Sequence, residues 1–152
     1  MHPNLFNANL AEIEVRYKTK VKFKEMQKIS TSSDAEKVFR SIWSDCLELR
    51  EEFYMLLLNK ANRVLGWYRV SEGGLSGTVA DPRLIFSIAL KCNASGILVA
   101  HNHPSGNIEP SKDDINLTKK LREAGNFLDI KLFDHIILTV DSYLSFADEG
   151  LV

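Results

Sequence analysis

From Glu14 to Lys24 the chain alternates strictly. Arg16, Lys18, Lys20, Lys22 and Lys24 fall on one side, and Tyr17, Thr19, Val21 and Phe23 on the other. A period of two predicts a half-buried strand, preceded by an arm of about ten residues. In "STSSDAEKVFRSIW" the apolar positions Val38, Phe39, Ile42 and Trp43 recur at helical spacing, and Ser33 with Glu36 predicts a capping box. "EEFYMLLLN" reads as a buried strand, and "NRVLGWYRVS" as its neighbour after a turn over Asn59 to Asn62. "ADPRLIFSIALKC" predicts a helix with Asp81 as N-cap and Pro82 in the first position. "SGILVAH" is a short run of the kind buried on both faces. "SKDDINLTKKLREAG" predicts a helix stopped at Gly125, and "IKLFDHIILTV" and "YLSFAD" close as strands. Helices and strands intermix, which predicts an α/β or α+β sandwich around one mixed sheet.

The chain has 152 residues, enough for one domain with a real core. The formal net charge of −1 gives the whole molecule no pull toward nucleic acid, so any such surface must be a local patch. Cys46 and Cys92 stand far apart with no CxxC, which excludes a disulfide scaffold and a thiolate zinc cage and fits a reducing cytoplasm. No secretion signal opens the sequence, and "FYMLLL" is too short to cross a bilayer. A cytoplasmic protein with no membrane partner is expected.

The chemistry gathers in "HNHPSGNIEPSKDD", residues 101 to 114. His101 and His103 end a buried strand, and residues two apart in extended chain project to the same side. Pro104 and Gly106 turn the chain away. The helix starting near Ser111 brings Asp114 back in its first turn, where the helix dipole favours an anion. Two neutral imidazoles and one carboxylate leave a fourth position open, the arrangement of a catalytic zinc site. The plainer reading is that Ser111 and Asp114 only cap the helix. Asn102 points opposite the two histidines and reads as structural. The letters H-N-H are not a nuclease signature, which spreads its residues over a hairpin and a helix. Metallo-β-lactamase-like sites want an Asp-His pair where Pro104 and Ser105 stand.

His101-x-His103, ten residues, then Asp114, with Ser111 in Ser-x-x-Asp, resembles the JAMM motif of MPN-domain metalloproteases. "SEGGLSGTVADPR", "ASGILVAHNHPSGN" and "LFDHIIL" are similar to the RadC branch of that superfamily. The resemblance covers roughly residues 30 to 152, and it implies an MPN/JAMM sandwich of the cytidine-deaminase-like type. Residues 1–29 would be an arm and basic strand packed on it. Longer RadC relatives carry an N-terminal helix-hairpin-helix-like segment, so a short, catalytic-domain-only member is expected.

The resemblance further implies one Zn2+ per chain on His101, His103 and Asp114. It requires an upstream glutamate as general base, for which Glu52 is the candidate and Glu51 the fallback. Ser111 would donate to the oxyanion. The implied activity is hydrolysis of a peptide or isopeptide bond in an unknown peptide or protein substrate. His135 has no ligand role in the motif and reads as a structural or second-sphere histidine. Gly73, Gly74 and Gly77 lack the spacing of a phosphate loop. They read as a flexible loop near the cleft.

The basic face Arg16, Lys18, Lys20, Lys22 and Lys24 has two readings. Lysines on an exposed edge strand guard against aggregation. Alternatively they are a footprint for DNA or another polyanion, in keeping with the DNA-repair label commonly given to RadC proteins. A DNA-associated, non-enzymatic MPN binding module is therefore the alternative to a hydrolase. A homo-oligomer is compatible with either.

Overall fold

The computed structural model describes residues 10–45, 47–73 and 79–152. The elements run α1 (Ser32–Ile42), β1 (Glu52–Leu58), β2 (Val64–Glu72), α2 (Pro82–Lys91), β3 (Gly96–Asn102), α3 (Lys112–Phe127), β4 (Lys131–Leu138) and β5 (Tyr143–Ser145). One sheet has the order β2-β1-β3-β4-β5. The β3–β4 pair, joined through α3, is parallel, and the other pairs are antiparallel. This is a mixed α/β fold, a mixed sheet flanked by helices.

β1 and β3 are buried along their whole length, as their unbroken apolar runs require. Alternate side chains feed two cores. Phe53, Met55, Leu57, Ile97 and Val99 pack against Ile85, Phe86 and Leu121 of α2 and α3. Tyr54, Leu56, Leu58, Leu98 and Ala100 pack against Ala35, Phe39 and Trp43 of α1 and the adjoining residue. The sheet therefore has an α1 face and an α2/α3 face. The β1–β2 turn holds as expected. Asn59 Oδ1 accepts the N–H groups of Ala61 and Arg63 at 2.9 and 3.0 Å, and Asn62 takes φ 56°.

β4 carries a register irregularity. Ile97 pairs with Leu132, but the next residue, Leu98, pairs with Asp134. One extra residue, Phe133, reverses the phase of the strand. Beyond it Asp134 and Ile136 face α1, while His135 lies beside Val99 on the α2/α3 face.

Several expected elements differ. Residues 10–22 form neither strand nor helix, and Phe23–Glu25 is a single 3₁₀ turn. Among the described residues the alternating segment has no strand partner, and its apolar side stays outside, with Tyr17, Val21 and Phe23 all exposed. Period two without a sheet to pair with does not make a strand. The segment is tied down by Tyr17 Oη donating to the Leu65 carbonyl at 2.7 Å, and Val64 N–H donates to the Gln27 carbonyl at 2.8 Å.

The capping box of α1 is Thr31 with Asp34, two residues before the expected Ser33 and Glu36. Asp34 accepts the N–H groups of Ser30 and Thr31, both at 2.9 Å, and these bonds hold its carboxyl below its ordinary range. Gly125 does not stop α3. The helix continues to Phe127, and the reversal comes at Asp129 with φ 55°. Gly125 is instead a close approach: a Cβ there would stand 2.2 Å from the Ile130 carbonyl oxygen. The last strand is only Tyr143–Ser145, and the rest of "YLSFAD" turns. Asp81 caps α2 by accepting Arg83 N–H at 2.9 Å, as expected.

Candidate metal centre

His101 is the last residue but one of β3 and is 3% exposed, and His103 follows where the strand gives way to a turn. Their Nε2 atoms stand 2.9 Å apart. Asp114, in the first turn of α3, brings Oδ1 to 3.3 Å from His101 Nε2 and Oδ2 to 3.4 Å from His103 Nε2. Zinc bonds of about 2.0–2.2 Å set tetrahedral ligand atoms about 3.3–3.6 Å apart. Both carboxylate distances match that edge length, and the histidine pair is somewhat tighter.

Ser111 is the N-cap of α3. Its Oγ accepts Asp114 N–H at 3.1 Å, and Asp114 Oδ2 accepts Ser111 N–H at 2.8 Å. The capping reading and the ligand reading of Asp114 thus coexist in one carboxylate. The Ser111 hydroxyl keeps its own proton for a further bond. Burial pushes the Asp114 carboxyl up, but the two imidazoles and the Ser111 N–H outweigh it and hold the group far below the usual carboxylate range. The Asp114 carboxylate in turn raises His103 against the opposing effect of burial. His103 Nδ1–H donates to the Asn107 carbonyl at 2.6 Å. In the neutral ring this leaves a lone pair on Nε2, directed at the cluster.

The upstream glutamates separate by strand parity. Phe53 pairs with His101 across the β1–β3 ladder, and their rings lie parallel with centroids 6.1 Å apart. Glu51, two residues before Phe53, shares that face. Its Oε1 is 3.9 Å from His103 Nε2, and Glu51, His101 and His103 offer ligand atoms within 4.8 Å of one another. Glu52, the expected general base, is not brought to this point. It is fully buried on the α1 side, where its carboxylate accepts Ser44 Oγ–H at 2.5 Å and Arg69 Nη1–H at 3.3 Å.

Asn102 holds the other side, as the sequence suggests. Its Oδ1 accepts Glu52 N–H at 2.8 Å, and its Nδ2 donates to the carbonyls of Leu47 and Arg50, both at 2.9 Å. It fixes the chain that enters β1 and so fixes where Glu51 begins.

His135 is fully buried behind His101, with Nε2 at 2.7 Å from His101 Nδ1. Its ring stacks on Phe146 at 4.6 Å. Thr118, which no sequence motif marks, completes the surroundings. Its Oγ1 lies 2.7 Å from His135 Nδ1 and 2.7 Å from the Asp114 carbonyl oxygen. Thr118 is four residues after Asp114, one helical turn away, the single signal in the sequence that links it to the site.

Arg16, Lys18, Lys20, Lys22 and Lys24 are exposed, and Arg16 pairs with Glu14 at 3.0 Å. Gly73 N–H donates to the Glu51 carbonyl at 2.8 Å, whereas Gly74 and Gly77 lie outside the described residues, as does Cys46. Among the described residues no helix is long and apolar enough to cross a membrane.

A mixed sheet between helices, with His-x-His at a strand end and an aspartate at the next helix start, defines a domain of the MPN/JAB sandwich class. Within that class, residues 29–151 match the family model of the RadC-like JAB domain, and the chain belongs to that family. It is 42% identical over 127 residues to a UPF0758 protein of Flavobacterium johnsoniae, an alignment covering 84% of this chain and 55% of that one. A UPF0758 protein of Geotalea uraniireducens is 37% identical over 142 residues, covering 93% and 60%. One from Porphyromonas gingivalis is 42% identical over 130 residues, covering 84% and 57%. The chain thus spans a little over half the length of these relatives.

Proposed function

We propose that this domain is a zinc-dependent hydrolase that cleaves a peptide or isopeptide bond. The observation that carries the reading is the convergence of His101 Nε2, His103 Nε2 and the Asp114 carboxylate within 3.4 Å of one another, with Glu51 alongside. His101, His103 and Asp114 would hold one ion. Neutral nitrogens and a carboxylate suit zinc, and the set leaves a position open. When bound, the ion supplies Lewis acidity, acidifying water and polarising a carbonyl.

The remaining work falls to this chain's own groups. Glu51 accepts the proton of the attacking water and returns it to the leaving nitrogen. Glu51 replaces Glu52 in this role because its carboxylate is on the histidine side of β1. The Ser111 hydroxyl donates to the carbonyl oxygen as charge grows there. Membership of the RadC-like JAB family supports the same reading.

The test is hydrolysis of peptide and isopeptide libraries by the zinc-loaded and the chelator-stripped protein. Zinc-dependent cleavage is expected. Stoichiometric zinc with no cleavage of either bond type would instead favour a binding module.

A further inference from the structure

Thr118 and His135 are not among the expected ligands or catalytic groups, yet both are buried and both have their polar atoms committed. The direction of each bond follows from one end. A carbonyl oxygen only accepts, so the Thr118 hydroxyl donates its single proton to the Asp114 carbonyl at 2.7 Å. Thr118 Oγ1 must then accept at its other hydrogen bond. The donor is His135 Nδ1–H, at 2.7 Å.

His135 lies wholly inside the protein, and its two ring nitrogens meet the Thr118 hydroxyl and the His101 ring rather than a carboxylate, so no anion is in place to offset a buried charge and the ring is neutral. A neutral ring with its proton on Nδ1 has a bare Nε2. That atom faces His101 Nδ1 at 2.7 Å, so His101 Nδ1–H donates to it. The proton of a neutral His101 is thereby placed on Nδ1, and Nε2 is left as a lone pair aimed at His103 and Asp114.

We propose that Thr118 and His135 are positioning residues that fix His101 in the Nδ1–H tautomer, the form in which its Nε2 can bind a metal. The hydrogen-bonded path runs from one expected ligand to another: Asp114 carbonyl, Thr118, His135, His101. α3 therefore supplies a carboxylate from its first turn and anchors the opposite ligand from its second. The extra residue in β4 is part of the device. Without the phase reversal at Phe133, position 135 would face α1 and could not reach His101. Outer partners of this kind fix the tautomer and orientation of ligating imidazoles.

This inference rests on His101 being a metal ligand, but its first test does not. Long-range proton–nitrogen NMR of the metal-free protein, labelled at histidine and held at mildly alkaline pH, reads the tautomer of each ring. His101 and His135 should both carry the proton on Nδ1. A proton on Nε2 of either ring overturns the proposal, even if the protein binds zinc.

The second arm measures zinc affinity against a chelating dye. Thr118→Val keeps the shape and removes the donor; it should weaken zinc roughly 10- to 100-fold and release His135 from the Nδ1–H form. Thr118→Ser restores the hydroxyl and should restore both the affinity and the tautomer. Wild-type affinity and unchanged tautomers in Thr118→Val would overturn the proposal. If the wild type binds no zinc, the metal reading fails by itself, and the tautomer spectra still decide the hydrogen-bonded path.

Discussion

At the scale of single residues, the site turns on which of two adjacent glutamates faces the histidines. Glu51 shares the parity of Phe53, which pairs with His101, and Glu52 shares that of Tyr54 and the α1 core. Glu51→Gln should retain the metal and lose at least about a hundredfold in hydrolysis, the scale of a general base. Glu52→Gln should retain hydrolysis and lose about 1–3 kcal/mol of stability through its bonds to Ser44 and Arg69. Denaturant unfolding beside a peptide assay checks both; the reverse pattern would put Glu52 in the catalytic role. Asn102 makes a separate prediction. Asn102→Ala deletes three bonds at the entry to β1, which should cost about 2–4 kcal/mol in the same unfolding measurement. The motif His101-x-His103 and Asp114 was legible because the spacing alone joins a strand end to a helix start. The choice between Glu51 and Glu52 was not. β1 is buried on both faces, so its sequence carries no polar alternation to reveal parity, and only the register with β3 does.

At the scale of elements, the helices follow from periodicity and the central strands from unbroken apolar runs, because each has partners that bury its apolar side. The segment over Glu14–Lys24 shows the limit. It has the cleanest alternation in the chain, yet it forms no strand, because nothing among the described residues pairs with it. The edge-protection reading of its lysines goes with the missing strand. We propose the polyanion reading in its place: five exposed basic residues stand within nine positions, Lys24 in the 3₁₀ turn and the other four before it, a density of charge that suits phosphates. Lys18, Lys20 and Lys22 changed together to Gln should weaken DNA binding and flatten its salt dependence by about 0.9 for each phosphate no longer neutralised. Hydrolysis of a small uncharged peptide should be unaffected. Wild-type protein with no salt-dependent DNA binding would end that proposal. Gly125 shows a second limit, since a glycine late in a helix signals a stop in sequence but here admits the Ile130 carbonyl. Gly125→Ala should destabilise by about 1–3 kcal/mol, because backbone must shift to admit the methyl. A thermal midpoint at or above wild type would contradict that packing argument.

At the scale of the whole molecule, the mixed sheet divides its labour by face. The α1 face is apolar core with Glu52 and Asn102 locking the entry to β1. The α2/α3 face carries the apolar core along most of its length and His101, His103, Asp114 and Glu51 where β3 ends. The parallel β3–α3–β4 unit is what lets one helix meet one strand end twice, through Asp114 and through Thr118. The order of the elements predicted a sandwich around one mixed sheet, without saying which strands pair in parallel. The sequence could not predict the extra residue in β4, because "LFDHIIL" reads equally well as an unbroken strand. The central claim is that His101, His103 and Asp114 hold one zinc ion. The most direct measurement is metal content after zinc loading and exhaustive buffer exchange, for wild type and His103→Ala in parallel. One equivalent of zinc per wild-type chain and little or none in the variant is the predicted result, and equal zinc in the two proteins would contradict it.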